Sequence, residues 1–331
     1  MKQMLHLIIL ACCLSACVDE DDFKDTPMDN FEALWQLIDE HYCFLDYKQI
    51  DWNAIHAKYA PQVKASKTEE NLFEVLGNML AELKDGHVNL YTTHNMARYW
   101  DWYESYPRNF SEELVERYLG QGYRISGGLE YTILSDNIGY VYFGSFSSAA
   151  GNGSLSEMLD YFSLCDGLII DVRQNGGGNL TTADRIAARF TNEKTLVGYI
   201  CHKTGKGHSD FSAPEPIYLE PSDRIRWQKP VVVLTNRHSY SATNYFANIM
   251  SQLPLVTLMG DQTGGGSGMP FTSELPNGWG VRFSACPILN AEKQHTEFGI
   301  EPDIHVDMEE DDQRQGIDTM IEAARTFLKS K

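Results

Sequence analysis

Residues 231–246 run Val-Val-Val-Leu-Thr-Asn-Arg-His-Ser-Tyr-Ser-Ala-Thr-Asn-Tyr-Phe: an apolar β-branched stretch, a polar turn, and the start of an apolar helix. A hydroxyl at the tip of such a turn is exposed, with a helix N-terminus behind it and a backbone N–H beside it. Charge developing on a carbonyl oxygen under attack can be held there. Three serine or threonine hydroxyls crowd the turn, those of Thr235, Ser239 and Ser241. Serine is also a common helix N-cap, so this stretch alone leaves capping and nucleophilic chemistry both open. A second stretch, Asp171-Val-Arg-Gln-Asn-Gly-Gly-Gly178, adds weight to the chemical reading. Another buried strand ends there in a glycine run able to aim backbone N–H groups at an anion. The same glycines suit a tight strand-to-helix turn with positive φ, and both uses are compatible. Asp171 and Arg173 read as a buried structural pair.

Positioning these groups requires a layered α/β core. Strands are expected at 131–134, 138–143, 167–172, 196–201, 230–235, 256–259, 281–286 and 304–306. Helices are expected near 155–162, 181–190 and 242–253, with a long C-terminal one from about 311 to 329. This alternation argues for βαβ connections and a parallel or mixed sheet. Upstream, Phe31, Leu34, Trp35, Ile38 and Tyr42 recur at helical spacing. Two more helices are read near 52–59 and over 68–83, the latter opening at Thr68-x-x-Asn71. The division expected is a signal segment at 1–17, an acidic tether at 18–28, a helical subdomain at 29–91, a connecting segment at 92–128 and a core at 129–331.

Composition bounds the function. The 331 residues carry a formal charge of −19, with 43% apolar and 11% aromatic residues. That describes a globular chain with no basic patch for phosphate, so nucleic acid is not an expected partner. The apolar run Leu5–Leu14 has secretory length and closes in Leu14-Ser-Ala-Cys17, similar to a bacterial lipobox with Cys17 as the lipid anchor. The acidic Val18–Asp22 that follows resembles signals sending some Gram-negative lipoproteins to the cell surface. An outer-membrane address with display at the cell surface is therefore expected. Cys43, Cys165, Cys201 and Cys286 show no disulfide framework. No CxxC or HExxH stretch occurs, and neither metal nor cofactor is expected.

Five pieces in order carry a resemblance: Leu83-Lys-Asp-Gly-His87, Asp171–Gly178, Thr235–Ala242, Gly260-Asp-Gln-Thr-Gly-Gly-Gly266 and Gly299-Ile-Glu-Pro-Asp303. They resemble the serine peptidases of the tricorn and C-terminal-processing family. The resemblance implies a crotonase-like β/α superhelix as the catalytic core, preceded by the small helical subdomain. The PDZ domain of many members is read as absent, because 92–128 is far shorter than the roughly 80–100 residues of a small independent domain.

The resemblance also implies roles. Ser241, followed by Ala242, corresponds to the nucleophile. The lysine that most C-terminal-processing proteases use as base falls at Gly266, so that base is missing. The tricorn branch instead has a histidine corresponding to His87, with His238 the competing choice. Activity is then expected to rise with pH through a transition near neutral. A serine that precedes the histidine in tricorn is replaced by Gly86. The glutamate that shares the orienting task corresponds to Glu297, with Glu301 and Asp85 as alternates. The oxyanion donors are the N–H groups of Ala242 and Gly178, with Gly177 second.

The expected activity is serine endopeptidase action on peptides or unfolded proteins. The alternative is a non-catalytic binding module for an apolar or peptide ligand, like the interphotoreceptor retinoid-binding protein repeats of similar fold. Arg226, Trp227 and 92–128 are candidates to line a cleft.

Overall fold

The computed structural model describes residues 23–331. Three helices come first: α1 (Pro27–His41), α2 (Trp52–Ala65) and α3 (Glu69–Ala81). Each starts at a side chain that accepts an otherwise orphaned N–H. Thr26 takes the N–H of Asp29, Asp51 that of Ala54, and Thr68 that of Asn71. Two short strands follow, β1 (Asn89–Tyr91) and β2 (Met96–Arg98). The connecting segment then forms α4 (Asp101–Glu104), α5 (Glu112–Leu119) and β3 (Arg124–Ser126).

The core continues with β4 (Leu129–Ile133), β5 (Ile138–Phe143), α6 (Asn152–Tyr161), β6 (Gly167–Asp171), α7 (Leu180–Ala187), β7 (Thr195–Ile200) and β8 (Glu215–Leu219). Next are β9 (Val231–Thr235), α8 (Ala242–Ser251), β10 (Val256–Gly260), β11 (Gly268–Glu274), β12 (Gly280–Leu289) and β13 (Ile304–His305). The C-terminal helical stretch breaks into α9 (Glu310–Arg314) and α10 (Thr319–Lys329) at Gly316, whose φ is 76°.

Two sheets result. A seven-stranded sheet has the order β13-β10-β9-β6-β5-β4-β3, parallel from β13 to β5 and antiparallel at its β4–β3 edge. Alternate side chains of its central strands feed opposite faces. Leu168, Ile170, Val231 and Val233 join the core under α6, α7 and α8. Ile169, Val232 and Leu234 join the one under α10, against Met320, Ile321 and Leu328. Burial on both faces explains the unbroken apolar runs in the sequence.

The second sheet is antiparallel, ordered β2-β1-β12-β7-β8 with β11 also on β12. Helices α1–α3 pack on its Val281, Phe283 and Ala285. Three of its strands, β2, β8 and β11, were not expected. β8 and β11 each contain a proline, Pro216 and Pro270, which cannot donate to a ladder and is tolerated only on edges or bulges. Near Pro270 the β11–β12 register shifts.

Candidate active site

Strands β6 and β9 are parallel neighbours, Leu168 beside Val231, so the segments after their C-terminal ends emerge together. That is where open α/β sheets place their sites. The turn after β9 is braced from within. The Ser239 hydroxyl donates to Val172 O (2.9 Å) and the Thr235 hydroxyl to Asp261 O (2.8 Å), both wholly buried. Those two hydroxyls are structural. Ser241 stands at the N-cap of α8 yet makes no side-chain cap, and its φ/ψ of 61°/−119° is unusual for a residue with a Cβ. Such backbone is worth about 1–3 kcal/mol of strain and persists when its surroundings fix it. Here Tyr240 N–H donates to Asn175 O (3.1 Å) and Ser241 N–H to Gly265 O (2.9 Å).

Asn175 joins this turn to the glycine run. Its Oδ1 accepts from Gly177 N–H (3.0 Å) and the Thr243 hydroxyl (2.8 Å), and its Nδ2 donates to Phe143 O (2.7 Å). Gly177, with φ 102°, approaches so closely that a Cβ there would lie 2.8 Å from the Ser241 Cβ. Its N–H is committed to Asn175. The N–H groups of Gly178 and Ala242 have no acceptor among the described residues.

His87 arrives from the other half of the molecule, on the turn between α3 and β1. Its Nε2 lies 2.8 Å from the Ser241 Oγ, so 154 residues of chain separation close to one hydrogen bond. The ring is only 3% exposed and rests on Tyr240, centroids 4.9 Å apart, which in turn stacks on Trp102 at 4.0 Å. Arg98 Nε donates to Gly86 O (2.8 Å) and holds the turn from outside. A Cβ at Gly86 would fall 2.5 Å from Trp102 Nε1 and 2.9 Å from the Tyr240 hydroxyl, so a serine does not fit there.

Burial pushes the His87 pKa down to about 4. Asp85 opposes the shift, while Arg282, Arg98 and Lys48 reinforce it. The imidazole is therefore neutral across the physiological range, and the transition anticipated near neutral moves well to the acid side.

The orienting group expected for His87 is not in place as read from the sequence. Its Nδ1 has no hydrogen-bond partner among the described residues. Glu297 is buried, but its carboxylate accepts from Lys48 Nζ (2.9 Å) and Ser267 N–H (2.9 Å) and makes no bond to His87. Glu301 is exposed. Asp85 is the carboxylate nearest in bonding terms. It accepts the His87 backbone N–H (2.7 Å), the Tyr42 hydroxyl (3.0 Å) and the Ser284 hydroxyl (2.9 Å). His238 points elsewhere, edge-on to Tyr103 at 4.1 Å, and does not reach Ser241. Trp227 lies in the core, Arg226 is exposed and bonds Asn192, and neither is among the residues lining the cavity beside Ser241.

Ser241 and His87 open onto a cavity of about 240 Å3. Its walls include Leu180, Tyr245, Met269, Pro270 and Ile288, with Asn244 and Asn248 among the polar groups. A recess that combines apolar walls with polar groups, Arg282 among them, suits a side chain or short peptide segment.

An α/β core with a helical front unit, a strained serine at the end of a parallel strand and a histidine bonded to it define a hydrolase-type site. Comparison with known proteins gives the family. Residues 137–306 match the model of peptidase family S41, and residues 23–81 match the tricorn protease C1 domain. The chain belongs to peptidase family S41.

A putative peptidase from Parabacteroides merdae, solved by crystallography, is 56% identical, with a TM-score of 0.89 over 92% of this chain and 97% of that one. Mature CPAF shares the fold at 11% identity, with a TM-score of 0.73 over 92% and 97% of the two chains. A putative tricorn-like protease C-terminal subunit of Sulfurisphaera tokodaii is 28% identical over 50% of this chain. The chain spans between 18% and 27% of the length of the curated relatives it matches first.

Proposed function

We propose that the chain is a serine endopeptidase that cuts peptides or unfolded proteins through Ser241 and His87. The observation that carries this reading is the 2.8 Å contact between His87 Nε2 and the Ser241 Oγ, made by a neutral, buried imidazole. His87 takes the hydroxyl proton as the Ser241 Oγ attacks the peptide carbonyl, and later returns it to the leaving amine. The N–H groups of Ala242 and Gly178 receive the oxyanion. The commitment of the Gly177 N–H to Asn175 favours Gly178 as the second donor. Asp85, one bond from the His87 backbone, stabilises the imidazolium electrostatically, the direction in which it moves the His87 pKa. Gly266 has φ 77°, and a Cβ there would lie 2.4 Å from the Tyr240 ring, so this position has no room for a lysine base.

The non-catalytic alternative loses support from the same contact, since a ligand-binding module has no use for a strained serine aligned on a histidine. Incubating the protein with a reduced, unfolded polypeptide and sequencing the fragments by mass spectrometry tests the reading. Cleavage by the wild type and none by Ser241→Ala supports it; a wild type that leaves the polypeptide whole refutes it.

The address is a separate proposal. Cys17 and the segment around it lie outside the described residues, and no described helix is long and apolar enough to cross a membrane. The lipobox-like sequence supports lipid attachment at Cys17 and an outer-membrane location. Cys17→Ala should then shift the protein from the membrane to the soluble fraction. Continued membrane retention would rule the anchor out, and protease shaving of intact cells tests surface display.

A further inference from the structure

The segment between α1 and α2 carries a lysine that nothing in the mechanism above uses. The Lys48 side chain is only 5% exposed. Its ammonium lies 2.9 Å from Glu297 Oε1 and 3.9 Å from Asp85 Oδ2, and donates to Leu83 O (3.2 Å) and Lys84 O (3.3 Å). The rings of Tyr42, Phe44 and Phe298 surround it, with centroids 5.4–5.8 Å away. Its donors are thus spent on one carboxylate and on the two backbone carbonyls that lead into the His87 turn.

We propose that Lys48 is a positioning residue for the active site, fixing the turn that carries His87 against the loop that walls the cavity beside Ser241. This inference rests on the Ser241–His87 reading. The connection is continuous. Glu297 accepts the Ser267 N–H through Oε2 and the Gly266 N–H (3.1 Å) through its backbone carbonyl, and Gly266 and Ser267 both line the cavity. From Glu297 the link passes through Lys48 to the carbonyls of residues 83 and 84 and to Asp85. Asp85 then holds the His87 N–H. Lys48 lies in the part of the chain matching the tricorn C1 domain, and Glu297 in the part matching family S41. The ammonium therefore joins the two units whose relative placement sets the serine-to-histidine distance.

Why a lysine stands there follows from charge. Asp85 and Glu297 are both buried, and with an apolar residue between them they would repel each other with no cation to offset it. The charged and titratable groups acting on His87 are Asp85 on its own turn, Arg98 from β2, Arg282 from β12 and Lys48, with the Tyr240 ring against its face. Three are cations that favour the neutral imidazole, and Lys48 is one of them. Its removal leaves Asp85 unbalanced and favours protonated His87. A purely structural lysine would lower stability and nothing else. A positioning lysine also changes how Ser241 reactivity depends on pH.

The test is the rate at which a fluorophosphonate labels Ser241 between pH 3.5 and 8, in the wild type, Lys48→Met and Lys48→Arg, each first shown folded by circular dichroism. Lys48→Gln, which keeps two donors without charge, stands in if the methionine variant fails to fold. Labelling of the neutral variants is expected to fall by on the order of tenfold to a hundredfold at neutral pH, as for a catalytic group held slightly out of place. Their acid limb should move to higher pH, and Lys48→Arg should return that limb to the wild-type position. A folded neutral variant with wild-type rates overturns the proposal. So does slower labelling with an unmoved acid limb, because loosened packing alone gives that pattern. A wild type that takes no label removes the Ser241–His87 reading, and this inference falls with it.

Discussion

Two buried cations in this molecule each face two carboxylates, with different results. Arg173, fully buried, puts Nε and Nη2 on the two oxygens of Asp171 (2.9 and 2.7 Å), and Nη1 and Nη2 on those of Asp318 (3.2 and 3.0 Å). Asp171 also accepts the Tyr140 hydroxyl, and Asp318 caps α10 through the N–H groups of Met320 and Ile321. The planar fork satisfies both acids and ties the central strand to the C-terminal helix. Lys48 is a point charge, close to Glu297 and farther from Asp85. Burial, with repulsion from Asp85, raises the Glu297 pKa to about 7 even though Lys48 opposes it. The first cluster is closed and structural. The second is balanced by a single point charge beside the turn that carries the histidine, where charge balance bears on chemistry.

The sharpest separation of chemistry from structure comes from Ser241→Ala. Turnover should fall by on the order of a millionfold, with a thermal midpoint close to that of the wild type, because no core volume is lost. Arg173→Met should do the reverse. Two uncompensated carboxylates in the core cost about 3–5 kcal/mol, read as a lower urea midpoint, while the protein that remains folded keeps its labelling rate at Ser241. Equal stability losses from the two variants would erase this separation of chemistry from structure.

His87 was singled out only by the likeness of Leu83–His87 to the tricorn branch, whereas Ser241 and the glycine run were also legible because local chain chemistry marks them: a hydroxyl before Ala at a helix start, and glycines that admit positive φ. The buried Asp171–Arg173 pair was legible for the same local reason, two residues apart on one strand end. Lys48 was not, since it sits in an irregular segment and its partners come from residues 83–85 and 297, distant in sequence. Glu297 was found but given the wrong neighbour, because spacing says nothing about which buried group a carboxylate will meet. The segment 92–128 escaped assignment because its elements are three to eight residues long, too short to display a period. Yet it supplies Trp102, whose stacking on Tyr240 fixes the surface behind His87.

Smaller effects sharpen the same picture. Gly178 has φ 140°, and a Cβ there would fall 2.3 Å from Ser147 N. Gly178→Ala should displace the donor and lower turnover by about 10²–10³, with little change in KM. Acidification should reduce activity as His87 takes up a proton, with the midpoint near its pKa of about 4 and a plateau above it. A rate that climbs through pH 6–7 instead would mean that the histidine is far less desolvated than its burial implies. Finally, Gly266→Lys should restore nothing to a His87→Ala variant, because the new side chain meets the Tyr240 ring. Recovered hydrolysis would return the site to lysine-based chemistry.

The most direct test of the Ser241–His87 pair is to map the adduct of a fluorophosphonate by peptide mass spectrometry, in the wild type and in His87→Gln at neutral pH. The expected result is a single adduct on the peptide bearing Ser241 in the wild type, and essentially none in the variant although it remains folded. An adduct on Ser239 or Thr235, or undiminished labelling without His87, would contradict the pairing.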